Sequence, residues 1–337
     1  MEIKRIAIDT SKNVFTLHAI DSTERCVQRR ELKRSQLEPF FAKLAPTDVV
    51  LEACGSSHHW GRRLSALGHR VRLIPPQYVK PFVKRGKNDR NDAEAINEAA
   101  SRPSMRYVPV KSEQQQADAM LLRVRELLVK QKTQLVNAVR GHAAEFGLVA
   151  ARGLGQVSAL VERVAASAIP EAAKEAIQLL AAQAAHLEGQ IDDVDRRLLR
   201  LHKANEVSRR LAKVPGVGPI TALTLALTVQ ADNFESGRHF AAWLGLTPKE
   251  HSTGGRQKLG GITRAGNERL RQLLVVGATS VVKVAKPGKP SASAWLLELL
   301  ERKPRKVAAV ALANKVARIV WAMMVRGEAY RRQPSAA

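Results

Sequence analysis

The chain has 337 residues, which is enough for two or three domains with their own hydrophobic cores. Its 55 lysines and arginines outnumber its 31 acidic residues, giving a formal net charge of +24 at pH 7. Because the basic excess is spread along the whole chain, a polyanion is the expected partner, with nucleic acid the leading candidate. Aromatic residues make up only 4% of the sequence, which argues against a protein that binds single strands mainly by base stacking.

The two cysteines, Cys26 and Cys54, have neither the spacing of a zinc site nor the number that a disulfide framework needs. Their scarcity fits a reducing compartment, and the first residues lead into a strand pattern rather than a signal peptide. No uninterrupted apolar run is long enough to span a bilayer. We therefore expect a soluble cytoplasmic protein with no membrane association.

The first predicted domain, residues 1–112, has the pattern of an α/β fold. It opens with three consecutive strand patterns and continues with helices and strands in alternation. This order predicts a mixed sheet covered by helices. The strand patterns occupy residues 3–8, 14–20, 27–32, 48–52 and 71–74.

Acidic residues end two of these strands and open a helix. Asp9 closes the first strand and Glu52 the fourth. Asp89 and Asp92 stand three residues apart where a helix begins, with Asn91 or Asp92 as the expected N-cap. If the first turn is already wound at Asp89, both aspartates share one helix face.

Each acid also has a simpler interpretation when it is taken singly. Asp9 then forms a turn, Glu52 is a solvated strand end, and the aspartate pair caps a surface helix. Taken together in a strongly basic protein, four carboxylates predict a site for two hard cations. Mg²⁺ is the expected metal, with Mn²⁺ as the alternative, in a site of the kind used for phosphoryl transfer.

Three segments of this domain, residues 8–15, 52–56 and 88–96, resemble the N-terminal signatures of the DEDD transposases. These are recombinases of bacterial insertion sequences that a bridge RNA guides. The resemblance implies an RNase H-like, RuvC-like fold, which agrees with the strand order above. Carried over residue by residue, the acidic tetrad of the family falls on Asp9, Glu52, Asp89 and Asp92.

The middle of the chain, residues 113–205, carries two heptad patterns separated by glycine and proline breaks, which predicts a coiled-coil region. Two interpretations remain open: a helical hairpin within one chain, and pairing between chains that makes a dimer. The first register comprises Leu121, Val124, Leu128, Gln131, Leu135 and Ala138. The second comprises Ile177, Leu180, Ala184, Leu187, Ile191, Val194, Leu198 and Leu201.

The C-terminal part, residues 206–330, is predicted to be a mostly helical module, followed by a flexible tail at residues 331–337. Its stretch Leu-Ala-Lys-Val-Pro-Gly-Val-Gly-Pro-Ile-Thr-Ala resembles a helix-hairpin-helix. Such a turn, here at Gly216 and Gly218, presents backbone N–H groups to a phosphate without reading sequence. A plain tight turn is the alternative. A later basic cluster suited to phosphates comprises Arg302, Lys303, Arg305 and Lys306.

A glycine-rich, basic segment surrounds Ser252. Gly254 and Gly255 allow a ligand to approach the backbone closely. A serine hydroxyl is a weak nucleophile unless a base or metal takes its proton, so composition alone favours a phosphate-binding loop whose serine only forms a hydrogen bond. The cations that would stabilise a phosphoryl transition state are Lys249, Arg256, Lys258 and Arg264.

Residues 251–255 and 260–267 resemble the C-terminal transposase signature of the same family, and this resemblance maps the catalytic serine onto Ser252. It implies a covalent phosphoserine link to DNA that conserves bond energy through strand exchange. It also implies one composite site with the acidic tetrad, built by two protomers of a dimer that assembles to a tetramer. Double-stranded donor and target DNA and a non-coding bridge RNA are the implied partners, at the bacterial nucleoid.

We therefore expect a DNA transposase and site-specific recombinase, because matched motifs occur in the correct order at both ends of the chain. Two other functions stay open from the residues alone. In a metal-dependent junction-resolving nuclease, water attacks and Ser252 only binds phosphate. In a basic RNA- or DNA-binding scaffold, the acidic residues are structural.

Overall fold

A computed structural model describes residues 2–84, 89–151, 153–256, 258–286 and 293–331. For two residues within these ranges, Asp89 and Leu154, it describes the backbone but not the side chain. The chain divides into two compact units, Met1–Gln116 and Ala117–Ala337. The first is an α/β fold, and the described part of the second is helical apart from one β-hairpin. A further division at residue 205 stays a prediction, and the predicted tail lies outside the described residues from residue 332 onward.

The first unit is built on a five-stranded mixed sheet. Its strands are β1 (Arg5–Thr10), β2 (Val14–Ile20), β3 (Cys26–Lys33), β4 (Asp48–Glu52) and β5 (Arg70–Ile74). Strand β1 pairs antiparallel with β2 and parallel with β4, so the order across the sheet is β3-β2-β1-β4-β5. The predicted mixed sheet, with three consecutive strands at its start, is confirmed.

Helices cover both faces of this sheet. The described helices of the unit are α1 (Arg34–Phe41), α2 (Ser57–Ala66), α3 (Pro76–Val79) and α4 (Asp89–Ala100). Because successive strand residues point to opposite faces, Ile8 and Leu51 join the core under α1 and α2. Ala7 and Val50 instead join the core under α4. The alternation therefore determines on which face of the sheet the acidic residue at each strand end lies.

The helical middle forms a hairpin within one chain. Helix α5 (Glu113–Glu145) pairs antiparallel with α7 (Glu171–Ala204), and α6 (Val157–Ala165) lies between them in sequence. Arg125 donates to Asp195 at 3.0 Å, and Lys132 binds Glu188 at 2.6 Å. These pairs confirm the intramolecular interpretation, while pairing between chains stays a prediction.

The two predicted heptad registers differ in outcome. In α7 the buried residues Ile177, Leu187 and Leu198 all occupy predicted positions. In α5 the prediction was wrong by one position, because Leu122 and Val136 are buried instead of the residues before them. Apolar residues occupy both adjacent positions of α5 at these points, so its periodicity fits either register. Only packing against α7 decides between them.

The C-terminal part is mostly helical, as predicted, and its described residues also contain one β-hairpin that was not predicted. Its helices are α8 (Glu206–Leu211), α9 (Pro219–Thr228), α10 (Gly237–Trp243), α11 (Glu268–Val284), α12 (Ala294–Arg302) and α13 (Arg305–Arg326). The hairpin strands are β6 (Pro248–Glu250) and β7 (Leu259–Ile262). By length and composition alone, α13 is apolar enough to cross a membrane. Its residues Ala313, Val316 and Val320 are buried in the core of this unit, which accounts for its apolar character.

Candidate active site

Asp9 and Glu52 lie side by side at one edge of the sheet. Ala7 pairs with Val50 in the parallel register of β1 and β4, so Asp9 and Glu52 are each two residues further along. Adjacent strands are about 4.8 Å apart, and residues two apart share a face. Both acids therefore lie on the face that α4 covers.

Helix α4 brings a third acid to this edge. The helix begins at Asp89, so the predicted N-cap at Asn91 or Asp92 was wrong. Asparagine or aspartate occupies four of the five positions 88–92, and this repetition makes the capping signal ambiguous. The early start places positions 89 and 92 on one helix face. Asp92 is half-buried, whereas the side chain of Asp89 lies outside the described part of the structure.

The electrostatics of Glu52 fit a cation site. Burial raises the pKa of the Glu52 carboxyl above its usual value, and the negative charge of Asp92 raises it further. Two electrostatically coupled carboxylates, one of them partly removed from water, are the hard oxygen ligands that a divalent cation stabilises. Among the described side chains, which leave out Asp89, no group of three or more His, Cys, Asp or Glu residues is placed to hold a metal ion.

A buried polar network fixes α4 on the sheet. The Nε of Arg5 donates to the Oδ1 of Asn97 at 2.6 Å. The Nδ2 of Asn97 donates to the backbone carbonyl of His18 at 2.7 Å. All three residues are buried, so β1, β2 and α4 are joined out of contact with solvent. The network therefore sets the position of Asp92 relative to the strand ends.

Sequence reasoning missed this network, although one signal was present. Arg5 occupies a position of β1 that the strand alternation assigns to the face under α4. A buried arginine is rare unless hydrogen-bond partners surround it, so its presence in a buried strand indicates polar partners elsewhere in the fold. Asn97 lies 92 residues away in sequence, and nothing local identifies it as the partner.

Ser252 lies just beyond β6, where the hairpin turns. Its hydroxyl donates to the Oε1 of Glu250 at 2.9 Å, and its Oγ accepts from the backbone N–H of Lys258 at 3.1 Å. The backbone N–H of His251 donates to the Lys258 carbonyl at 2.9 Å and closes the hairpin beside the serine. The side chain of Ser252 is exposed. The hydroxyl is thus both oriented by hydrogen bonds and open to a ligand.

The turn beside Ser252 has an open backbone. Gly254 and Gly255 have positive φ angles of 56° and 77°, a backbone conformation that residues with a side chain rarely adopt. Among the residues that the structure describes, no atom lies within 4 Å of a Cβ added at either position. The backbone geometry, rather than crowding by these residues, therefore requires glycine. The exposed cations of this hairpin are Lys249, Arg256 and Lys258.

Residues 260–267, the second part of the C-terminal signature, hold the base of the β-hairpin in place. An added Cβ at Gly266 would stand 1.7 Å from the Trp243 carbonyl oxygen. Arg264 has a left-handed φ of 57°, and its backbone N–H donates to the Gly245 carbonyl at 3.2 Å. The segment between β7 and α11 therefore packs directly on the end of α10. This contact gives the hairpin a fixed base.

Arg271 is a second residue that sequence reasoning missed. Its buried guanidinium donates to the carbonyl oxygens of Leu244 and Ala265, at 3.0 and 2.8 Å. It thereby joins α11, the end of α10 and the segment that leads back to the hairpin. The signal was an arginine one turn into an otherwise apolar helix face, which again indicates buried carbonyl partners.

The glycine turn before α9 has a packing role at its first glycine. An added Cβ at Gly277 of α11 would lie 1.8 Å from the Gly216 carbonyl oxygen, so the turn and the helix need glycine at both positions. Gly218 is exposed at the N-cap of α9, and a Cβ added there would meet no atom of the described residues within 4 Å. Phosphate contact at Gly216 and Gly218 stays a prediction. The exposed position of Gly218 favours contact there over contact at Gly216, which packs against Gly277.

A cleft of about 1370 Å³ lies beside the hairpin, between β6, β7, α12 and α13. Trp295 and Trp321 line it, and the Nζ of Lys315 stands 4.3 Å from the centre of the Trp295 ring. Burial lowers the pKa of Lys315, and the charge of Arg318 lowers it further. No acidic residue occurs among the described lining residues, whereas the cations are Arg238, Arg264, Lys306, Lys315 and Arg318.

Apolar walls with an exclusively positive set of charges suit a ligand that joins flat apolar groups to phosphates. Three of these five cations, Arg238, Lys315 and Arg318, were not singled out from the sequence; Arg264 was expected beside Ser252, and Lys306 in a basic cluster suited to phosphates. These three come from α10 and α13, which only the fold brings to one cleft.

Comparison with known proteins finds two matching family models. A DEDD transposase model of the IS110 type matches residues 6–146, and the model of the IS116/IS110/IS902 transposase family matches residues 208–292. The first range contains Asp9, Glu52 and Asp92, and the second contains Ser252.

Similar proteins align over nearly the whole chain. A putative transposase, y4pF/y4sB, from Sinorhizobium fredii is 54% identical over 98% of this chain and 86% of its own length. A probable family 20 transposase from Pseudomonas aeruginosa is 48% identical over 98% of this chain and 99% of its own. The transposase for insertion sequence element IS1111A from Coxiella burnetii is 40% identical, over 98% and 92% of the two chains.

Proposed function

Because the chain belongs to the IS116/IS110/IS902 family of insertion-sequence transposases, we propose that it cuts and rejoins DNA through a covalent bond between Ser252 and a DNA phosphate. The observation that carries this proposal is the exposed Ser252 hydroxyl, which two hydrogen bonds orient on a hairpin rich in positive charge. A serine that only supported the turn would not need to be exposed among cations beside an open backbone.

The N-terminal unit contributes an RNase H-like site for a divalent metal ion. Asp9, Glu52, Asp89 and Asp92 would hold Mg²⁺ or Mn²⁺, in a two-metal arrangement. When bound, such ions supply positive charge that stabilises the phosphoryl transition state and the leaving oxygen. The raised pKa of Glu52 supports this assignment. Burial and the charge of Asp92 make an ionised Glu52 unfavourable, and a bound cation would compensate that negative charge.

In the proposed reaction, the Oγ of Ser252 gives up its proton and forms a bond to the phosphorus of the scissile phosphate. The bond between phosphorus and one deoxyribose oxygen breaks, and that oxygen takes up a proton. The cations of the hairpin neutralise the phosphoryl oxygens through Lys249, Arg256 and Lys258. The phosphoserine bond retains the energy that a hydroxyl of the new DNA partner uses to restore the strand.

Recognition of DNA rests on backbone phosphates. The lining of the cleft, the open turn at Gly254 and Gly255, and the exposed N-cap at Gly218 all offer contacts that do not read bases. Following the family resemblance, we propose that a bridge RNA selects donor and target DNA in the bacterial cytoplasm. We propose further that the acids of one protomer and the serine of another form one site, in dimers that assemble to a tetramer.

Trapping of the protein on DNA tests this function. DNA that carries the junction of the encoding insertion sequence is incubated with the protein, Mg²⁺ and RNA transcribed from the non-coding ends of that element, then quenched with detergent. The expected result is a denaturant-stable adduct that chelation of the metal and the change Ser252→Ala both abolish. Ser280→Ala, which alters an exposed serine of α11, is the matched control and should leave the adduct unchanged.

Two outcomes would replace the proposal. Metal-dependent DNA hydrolysis that survives Ser252→Ala would assign the protein to the junction-resolving nucleases, in which water attacks. DNA binding without metal dependence or strand cleavage would leave a nucleic-acid-binding scaffold.

A further inference from the structure

We propose that Glu250 is the general base that takes the proton of Ser252, an inference that rests on the serine chemistry proposed above. The Oγ of Ser252 lies 2.9 Å from the Oε1 of Glu250 and donates its hydrogen bond to that oxygen. A nucleophile within about 2.6–3.2 Å of a carboxylate is the arrangement that general-base activation needs.

Local geometry favours Glu250 over the neighbouring His251 as the group that takes the proton. Glu250 and Ser252 are two residues apart along an extended segment, so their side chains lie on the same side of it. His251 stands between them, on the opposite side, and its backbone is paired with Lys258. The histidine is therefore the wrong side chain to receive the proton.

The second hydrogen bond at Ser252 fixes where the proton points. The backbone N–H of Lys258 donates to the Oγ at 3.1 Å and occupies one lone pair. The hydroxyl proton is directed to Glu250, which leaves the remaining lone pair of the Oγ free to approach phosphorus. The backbone of this hairpin thus prepares the serine for attack without further rearrangement.

The proton and the electrons balance through the step. As the Oγ–P bond forms, the Glu250 carboxylate takes the Ser252 proton and becomes a carboxylic acid. The P–O bond to one deoxyribose oxygen breaks, and its electron pair stays on that oxygen, which takes a proton from water. When a DNA hydroxyl later displaces the serine, that hydroxyl gives its proton to the hydroxide left from that water, and Glu250 returns its own proton to the departing Oγ.

The change Glu250→Gln separates proton transfer from positioning. A glutamine side chain still accepts the hydrogen bond from Ser252, but it does not take up the proton. A residue that only holds the hydroxyl in place would therefore tolerate the change, whereas a general base would not. Glu250→Asp retains a carboxylate with a shorter reach and is expected to recover part of the lost rate.

The test is the single-turnover rate of adduct formation on DNA, measured in the full-length protein from pH 6 to pH 9. At pH 7, Glu250→Gln should lower the rate by roughly 10²- to 10⁴-fold with DNA affinity unchanged. The deficit should shrink as the pH rises, because hydroxide then replaces the missing base. The charged groups beside it, Lys249, His251, Arg256 and Lys258, are the same in both proteins, so the difference reports on Glu250.

Glu328→Gln, which changes an exposed glutamate after α13, is the matched control and should keep the rate of the unaltered protein. A Glu250→Gln rate equal to that of the control would overturn the inference. So would a deficit that is constant at every pH, because that result indicates positioning alone. If adducts depend on Ser252 but not on Glu250, this inference fails and the proposed function stands; if no adduct forms at all, the proposed function fails.

Discussion

At the scale of single residues, the folded chain favours the protonated form of Glu52, whereas the proposed metal site needs its ionised carboxylate. Its pKa is raised by burial and by the charge of Asp92, so the folded chain holds this proton more tightly than the unfolded chain. The protonated carboxyl is compatible with folding below its usual pKa of 4.5. As the pH rises through the raised pKa, the ionised carboxyl lowers the free energy of unfolding. A divalent cation bound at the proposed site would remove that cost.

Glu52→Gln should therefore raise the midpoint of thermal unfolding at pH 7 in the presence of a chelator, and change it little near pH 4. Added Mg²⁺ should reverse the order. At a concentration of 100 Kd, metal binding stabilises the unaltered protein by about 2.7 kcal/mol, and the variant gains less. Scanning calorimetry measures both effects, with Glu2→Gln as the exposed control. A variant that gains as much from Mg²⁺ as the unaltered protein would remove Glu52 from the metal site.

Single residues also mark the limit of what the sequence predicted about the site. Asp9, Glu52 and Asp92 were singled out because strand ends and helix starts have local signatures, and the structure brings their positions to one sheet edge; their role in catalysis stays a prediction. Arg271 and the Arg5–Asn97 pair were missed because Leu244 and Asn97, which accept from the two arginines, lie 27 and 92 residues away in sequence. Such pairs form only when packed elements meet.

At the scale of elements, the docking of α4 controls the position of Asp92. Asn97→Leu removes the acceptor of a buried arginine, and we expect it to lower the free energy of unfolding by about 2–3 kcal/mol. Chemical denaturation measures this loss. Metal affinity should also fall, because α4 is no longer held against β1 and β2. Glu98→Leu, at an exposed position next in the same helix, is the control and should change neither quantity appreciably.

The contact between α11 and the turn before α9 offers a second test. Gly277→Ala would place a Cβ 1.8 Å from the Gly216 carbonyl, so the turn must move. We expect a loss of about 1–3 kcal/mol in the free energy of unfolding, as for other overpacked sites. Gly189→Ala in α7 meets nothing within 4 Å and should gain up to about 1 kcal/mol from helix propensity. Equal effects of the two changes would contradict the packing role of Gly216.

Elements differ in how well their sequence determines them. The strands of the mixed sheet and the buried register of α7 were predicted, because alternation and heptads are unambiguous there. The buried positions of α5 were predicted one residue off because adjacent residues such as Leu121 and Leu122 are both apolar. Packing against α7 determines which of the two is buried. The start of α4 was misplaced because asparagine and aspartate recur through its first residues. In both helices, the local signal fits more than one solution.

At the scale of the whole molecule, the net charge of +24 determines how DNA is held. The logarithm of the binding constant should fall linearly with the logarithm of the salt concentration, at about 0.9 per neutralised phosphate. Arg318→Ala, in the cleft, should weaken binding and reduce this slope by about 1. Arg196→Ala removes an α7 cation already paired with Asp193 and should leave the slope unchanged. Fluorescence anisotropy with labelled duplex DNA measures both, and identical slopes would exclude the cleft from the interface.

In the proposed reaction, the acids of one protomer and Ser252 of another act on one phosphate, and the Oγ of Ser252 forms the covalent bond. Mass spectrometry of the trapped adduct after nuclease and protease digestion tests this directly. The predicted result is a nucleotide remnant linked through phosphorus to the peptide that contains Ser252. A remnant attached to any other residue would contradict the account.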